Sequence, residues 1–335
     1  MSLRQCLKIL AATLLLLAAI ALVHDGLLPR SDKLFNDYRQ RLQRVLNIKI
    51  GVVNPHQLGQ GTIIWRNYHL TEPDLRLSFV DSFKLNRCGL QQTVFQKNSS
   101  LGKQASAVYK LIWHSQIIFG LARCSNNADI DPKFSLVLNR LLSRKLQASA
   151  IYWHNFLVDE ISLRQLWTRR DRLSQTPSGA YRKLAERIKH LASYQTVLQN
   201  GAALDEAALL LQLKQLDQSP SIFSLFSELN RATIWLKSIS ESLKHAEFRC
   251  VSSNQQQYKI LDNVLNKVYM AKVQRYLAEL DQSASVVNIA LAQLYHAPSF
   301  TTLISKTQLI QQRFHQANRQ HVIQWQEIIA SCTAT

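Results

Sequence analysis

The chain has 335 residues, of which 47% are hydrophobic and 19% charged, a balance that describes a folded globular protein and excludes a disordered one. Forty Lys and Arg against 22 Asp and Glu give a formal charge of +18. For a chain with an export signal this excess points away from nucleic acid and towards anionic lipid head groups or cell-wall polymers; a solvated basic surface is the other reading.

Arg4 and Lys8 precede a run from Ile9 to Val23 that is apolar except for Thr13, and His24, Asp25, Gly26 and Pro29 follow it. This is the layout of an export signal. The run is shorter than the roughly 20 residues that span a bilayer, and Ala19-Ile20-Ala21 offers small residues to a signal peptidase. Residues 1–21 are therefore read as a signal peptide or as an N-terminal membrane anchor with its basic end inside. The rest of the chain is expected in the periplasm, free or held at the inner membrane. Cys6 falls inside the signal, and Cys88, Cys124, Cys250 and Cys332 remain as an even set suited to an oxidising compartment. Helical hairpins would bring Cys88 to Cys124 and Cys250 to Cys332, and those two disulfides are expected. No C-x-x-C or Cys/His cluster offers a zinc site, so neither metal nor cofactor is expected.

Further along, Ser31 is expected to cap a first helix that turns Leu34, Phe35, Tyr38, Leu42 and Leu46 inward. Residues 48–73 read as a loop with one short strand around Ile63 to Trp65. Helical spacing returns from Leu75, stops at Asn98-Ser99-Ser100, and resumes from Ala105 to Cys124 with Val108, Leu111, Ile112, Ile118, Phe119 and Ala122 on its apolar positions. Beyond residue 120 only Gly179 and Gly201 occur among the glycines. Asp131-Pro132, Thr176-Pro177 and Ser219-Pro220 each pair a capping residue with a proline suited to the first helical position. Apolar stripes then follow: Leu136, Leu138, Leu141 and Leu142; Leu184, Ile188, Leu191 and Leu198; Leu225, Leu229, Leu236, Ile239 and Leu243. Leu261, Leu265, Val268 and Tyr276 mark another helix, and Leu303, Ile310, Phe314, Ala317, His321 and Ile328 a terminal one. The expected fold is mainly α: an irregular helical N-terminal region, residues 22–130, disulfide-stapled to an elongated antiparallel helical bundle, residues 131–335.

The run Arg87-Cys88-Gly89-Leu90-Gln91-Gln92, then Asn98-Ser99-Ser100-Leu101-Gly102, then Cys124 closing the next helix, resembles a gammaproteobacterial family, domain-of-unknown-function family 3080. The resemblance implies an envelope protein, and family members are often lipoproteins with a cysteine closing the signal. This chain departs from that pattern, because nothing between Leu17 and Arg30 is cysteine. The resemblance carries no functional residue across.

Candidate chemistry is sparse. Ser100-Leu101-Gly102-Lys103 matches the S-x-x-K pattern in which lysine activates a serine, but the companion K-T-G is missing. From Arg164 to Lys189 eight Lys or Arg face only Asp171 and Glu186. Arg164, Trp167, Arg169, Arg170 and Arg172 form a candidate anion or membrane-surface site, with tryptophan at interfacial depth and guanidinium groups on phosphates; a solvated helix face is the competing account. His321 on an apolar stripe reads as a core histidine, and Asp159-Glu160 as helix-end acids. No catalytic residue is assigned. The expected function is a non-enzymatic envelope adaptor or scaffold whose partners are an anionic membrane surface or envelope proteins, and not nucleic acid. An envelope hydrolase acting on cell-wall material and an apolar-ligand or lipid-binding helical protein are the alternatives.

Overall fold

The computed structural model describes residues 30–51, 63–75, 77–171, 179–246, 248, 251 and 254–333. The expected signal, the Thr176-Pro177 helix start, Arg172 and Cys250 lie outside them. The described residues are mainly α-helical and contain no strand. None of their helices is long and apolar enough to cross a membrane.

The chain enters through α1 (Arg30–Leu46) and a 3-10 turn at Trp65–Tyr68. Three short helices follow, α2 (Phe79–Lys84), α3 (Gln91–Asn98) and α4 (Ser100–Lys103), and then the longer α5 (Ala107–Ser125) and α6 (Pro132–Asp159). Next come α7 (Ile161–Thr168), α8 (Ala180–Gln199), α9 (Glu206–Asp217) and α10 (Ile222–Lys244). The last stretch holds α11 (Gln255–Val264), which passes through a π-helical segment at Leu265–Gln274 into α12 (Arg275–Leu294), and α13 (Thr301–Thr333). Chain neighbours run antiparallel. Val108 of α5 meets Glu160 beyond the end of α6 and His114 meets Ser149; His190 of α8 meets Gln212 of α9; Asp281 of α12 meets His315 of α13.

Local capping explains several helix starts. Asp131 accepts from Phe134 N at 3.1 Å with Pro132 at the first helical position, a cap worth about 1 kcal/mol. Two expected starts shift. Ser219 does not cap α10: its hydroxyl is tied to Gln215 O, and Ser221 takes the role by accepting from Ser224 N at 3.0 Å. Ser31 lies within the first turn of α1 and does not cap it, because the Glu228 carboxylate of α10 accepts from Ser31 N at 3.0 Å and satisfies that helix end from outside. The expected strand near Ile63 to Trp65 is replaced by the 3-10 turn. Among the described residues no strand is there to pair with it, and Trp65 is buried instead against Trp167 and Tyr68, with centroids at 6.4 and 6.1 Å.

Residues on both sides of position 130 contribute to the main core. Phe35, Tyr38 and Leu42 of α1 and Leu111 and Ile112 of α5 share one continuous cluster with the helices of the bundle. A smaller second cluster gathers Leu85, Leu90, Ile117, Leu121 and Phe134 around Cys88 and Cys124.

Polar contacts inside the main core fix helix register. His321 is fully buried; Trp325 Nε1 donates to Tyr38 Oη, which lies 2.9 Å from His321 Nε2, while His321 Nδ1 lies 3.0 Å from Ser240 Oγ. Ser240 Oγ donates its own hydrogen to Leu236 O, so one consistent assignment gives a neutral ring protonated at Nδ1. Burial pushes His321 down to about 3, and burial together with Lys97 and Lys145 pushes His114 down to about 2, from an ordinary 6.5. Below about pH 6.5 the unfolded chain therefore binds protons that the folded chain refuses, and stability falls as pH falls, with a slope of up to about 2.7 kcal/mol per pH unit for two such groups. Glu160, raised by burial, acts in the opposite sense just above pH 4.5. Urea midpoints between pH 7 and 4 should show the loss, and a His321→Gln variant should be markedly flatter over that range; a midpoint indifferent to pH would contradict the buried neutral imidazoles.

Candidate functional site

The lobe built on the second core is short of regular helix and rich in local devices. Ser78 caps α2 by accepting from Asp81 N at 3.1 Å, and the following 3-10 turn, Leu85–Cys88, ends on Gly89 at a φ of 72°, a left-handed conformation that glycine adopts without a Cβ penalty. Gly120 of α5 permits a close approach, since a Cβ there would stand 2.4 Å from Leu90 Cδ1. Cys88 and Cys124 are disulfide-bonded with their Cα atoms 5.3 Å apart. Arg123 Nη2 adds a bond to Cys88 O at 2.9 Å. Cys332 is also disulfide-bonded, and its partner is not among the described residues; the expected Cys250 link therefore stays an expectation.

This clamped lobe presents apolar side chains to solvent. Phe79 is 75% exposed, Val80 70% and Phe83 49%. Phe79 and Phe83, one helical turn apart on α2, meet edge to face at 4.9 Å, and Phe83 meets exposed Phe95 of α3 at 5.6 Å. Aromatic side chains of this size normally pack inward, and here three stand on the surface in a row, Phe83 touching both Phe79 and Phe95. From residue 77 to 103 four Lys or Arg stand against one acid, Asp81, which is paired with Lys84 at 2.7 Å.

The expected basic site is arranged otherwise. Trp167 is buried, its Nε1 donating to Tyr295 Oη at 3.4 Å, so it is no interfacial anchor. Arg164 is turned back on its own chain, donating to Val158 O at 2.7 Å and Asp159 Oδ1 at 2.9 Å. Arg169 donates to Asp217 O at 2.8 Å, to Ser219 O and to Asp171, neutralising carbonyls at the end of α9. Arg170 is exposed, its guanidinium 5.6 Å above the Phe223 ring. Among the described residues Arg164 and Arg169 are internal ties while Arg170 faces solvent, a difference that no count of charges along a sequence reveals.

Ser100 and Lys103 are both exposed on the one-turn α4, with no hydrogen bond between them, and Ser99 supplies the cap by accepting from Gly102 N at 3.0 Å. Asp159 pairs with Arg164 and with His69 at 2.9 Å. Glu160 accepts from Val108 N at 3.2 Å and from Ser162 N at 3.5 Å, satisfying the first turns of α5 and α7 together. Among the described residues no group of three His, Cys, Asp or Glu side chains could hold a metal ion. A cavity of about 1080 Å³ at one end of the bundle has a mixed lining that includes Leu46, Phe248, Gln257, Gln324 and Glu327.

These features define an all-helical bundle with a second, disulfide-clamped core and an exposed aromatic face. The chain belongs to the family described as protein of unknown function (DUF3080), whose sequence profile matches residues 35–335, nearly its whole length. No match is found among curated proteins or among solved structures.

Proposed function

We propose that the protein is a non-enzymatic adaptor or scaffold of the cell envelope, seated on an anionic membrane surface by the exposed phenylalanine face of its disulfide-clamped lobe. The observation that carries this reading is the contact series Phe79, Phe83 and Phe95, held outward on a rigid platform. Aromatic rings enter the interfacial layer of a bilayer favourably, and basic residues nearby add attraction to anionic head groups. The Cys88–Cys124 disulfide and the export-signal layout of the N-terminus support a periplasmic address.

Flotation with phosphatidylglycerol vesicles tests the reading. The Phe79→Ser/Phe83→Ser variant should float several-fold less than the parent, both should float poorly with phosphatidylcholine, and added salt should weaken the parent. Equal flotation of variant and parent at low salt would remove the membrane from this face. If that variant instead lost crosslinks in whole envelopes while floating normally, the occupant of the face would be an envelope protein.

A further inference from the structure

Lys97 of α3 and Lys145 of α6 converge on one ring. Lys97 Nζ stands 4.7 Å from the Tyr152 centroid and donates to Tyr152 Oη at 3.4 Å. Lys145 Nζ is 6.0 Å from the same centroid, and the residue is only 6% exposed. His114 stacks on Tyr152 at 3.7 Å and contacts Ser149 Oγ at 3.2 Å; its other ring nitrogen, Nδ1, is buried without a partner. No carboxylate among the described residues forms an ion pair with either lysine. The acids that act on them are Glu72 and Asp74, exposed on the extended segment 69–75, while Lys110 adds a third positive charge near Lys97. That segment is tied down at its start, where Asn155 exchanges two bonds with Leu70 at 2.9 and 2.8 Å. Drawing two ammonium groups towards one ring, Lys145 buried and Lys97 half-buried, is unfavourable unless an anion offsets them, and the Glu72 carboxylate, hydrogen-bonded to the Tyr152 hydroxyl, holds that place until a stronger anion displaces it.

We propose that Lys97, Lys145 and the Tyr152 hydroxyl form a binding site for a phosphate group, free or carried as a lipid head group, with the Glu72 carboxylate as a built-in competitor. Both ammonium groups supply charge-assisted hydrogen bonds, and the tyrosine hydroxyl adds a neutral donor. Burial and the neighbouring Lys97 lower the Lys145 amine to about 8, so affinity falls as pH rises through that value and the amine loses its proton. Glu72 and Asp74 oppose that shift, Lys97 favours it, and His114 stays neutral.

Calorimetric titration of the full chain with inorganic phosphate and with glycerol 3-phosphate tests the site. Lys145→Met should weaken binding about tenfold or more, and Glu72→Gln should strengthen it several-fold. Glu72 is exposed, so its variant reports even if the lysine variant misfolds. Competition by free phosphate for phosphatidylglycerol vesicles in the Phe79→Ser/Phe83→Ser background identifies a head group as the source; phosphate binding without such competition identifies the free ion. Absence of binding at about 10 mM phosphate in both the parent and Glu72→Gln, or unchanged affinity in a folded Lys145→Met variant, would overturn the proposal.

Discussion

Replacing Cys88 and Cys124 together by alanine should lower stability by about 4 kcal/mol, within a range of about 2 to 5. The link spans 36 residues, and loop-closure entropy for a ring of that size gives this magnitude. Both sulfurs sit inside the second apolar cluster, so alanine also removes packing atoms there. The loss should not be uniform. The lobe shares little core with the bundle, and α2, α3 and α4 are too short to persist alone. Amide exchange should therefore show residues 79–103 opening early while α10, α12 and α13 stay protected. The urea midpoint of the bundle should move less than the lobe signal. A variant that opens everywhere at once would mean that the lobe and bundle form one cooperative unit and that the two clusters are one core in energetic terms. The same variant should float poorly with anionic vesicles, because an opened lobe no longer holds Phe83 between Phe79 and Phe95.

How far the sequence announced this arrangement depends on the range of the interaction. Asp131-Pro132 marked the start of α6 because capping is decided within four residues. His321 was readable as a core histidine from its place on an apolar stripe, and it is fully buried. The π segment was not readable. Along Val264, Val268, Val273 and Leu277 the buried spacing opens from four residues to five, a slip that an average period near 3.6 absorbs without trace. Trp167 did carry a signal that the adjacent arginines masked: it lies four residues after Leu163, on the same helix face, and both are buried. Lys145 carried one as well, seven residues beyond Leu138 and four beyond Leu141, a charge on an inward stripe. Its meeting with Lys97 was invisible, since nothing local links α3 to α6. The phenylalanines of α2 were hidden for the opposite reason: apolar spacing finds a face but does not say whether another element covers it.

Arg231→Met should be the most damaging single substitution in the bundle, by about 3 to 5 kcal/mol. The guanidinium is almost buried and bonds Asp32 Oδ2 at 2.9 Å, with Glu228 Oε2 at 3.6 Å on its other side. Asp32 also accepts from Trp235 Nε1 at 2.7 Å, and Glu228 from Tyr276 Oη at 2.6 Å and Ser31 N at 3.0 Å. These bonds join α1, α10 and α12. Without the arginine two carboxylates face each other in the core with neutral donors only, and the cost is that of uncompensated buried charge, larger than the methylene packing that methionine restores. A triple variant, Asp32→Asn/Glu228→Gln/Arg231→Met, discriminates the electrostatic cause from simple loss of side-chain volume. Removing both negative charges should recover more than half of the loss in urea unfolding, because the remaining amides still receive the tryptophan and tyrosine hydrogens. Recovery of nothing would show that Arg231 acts through packing, and that α1 is held to the bundle by Phe35 stacked on Trp235 at 5.9 Å and not by the charge network.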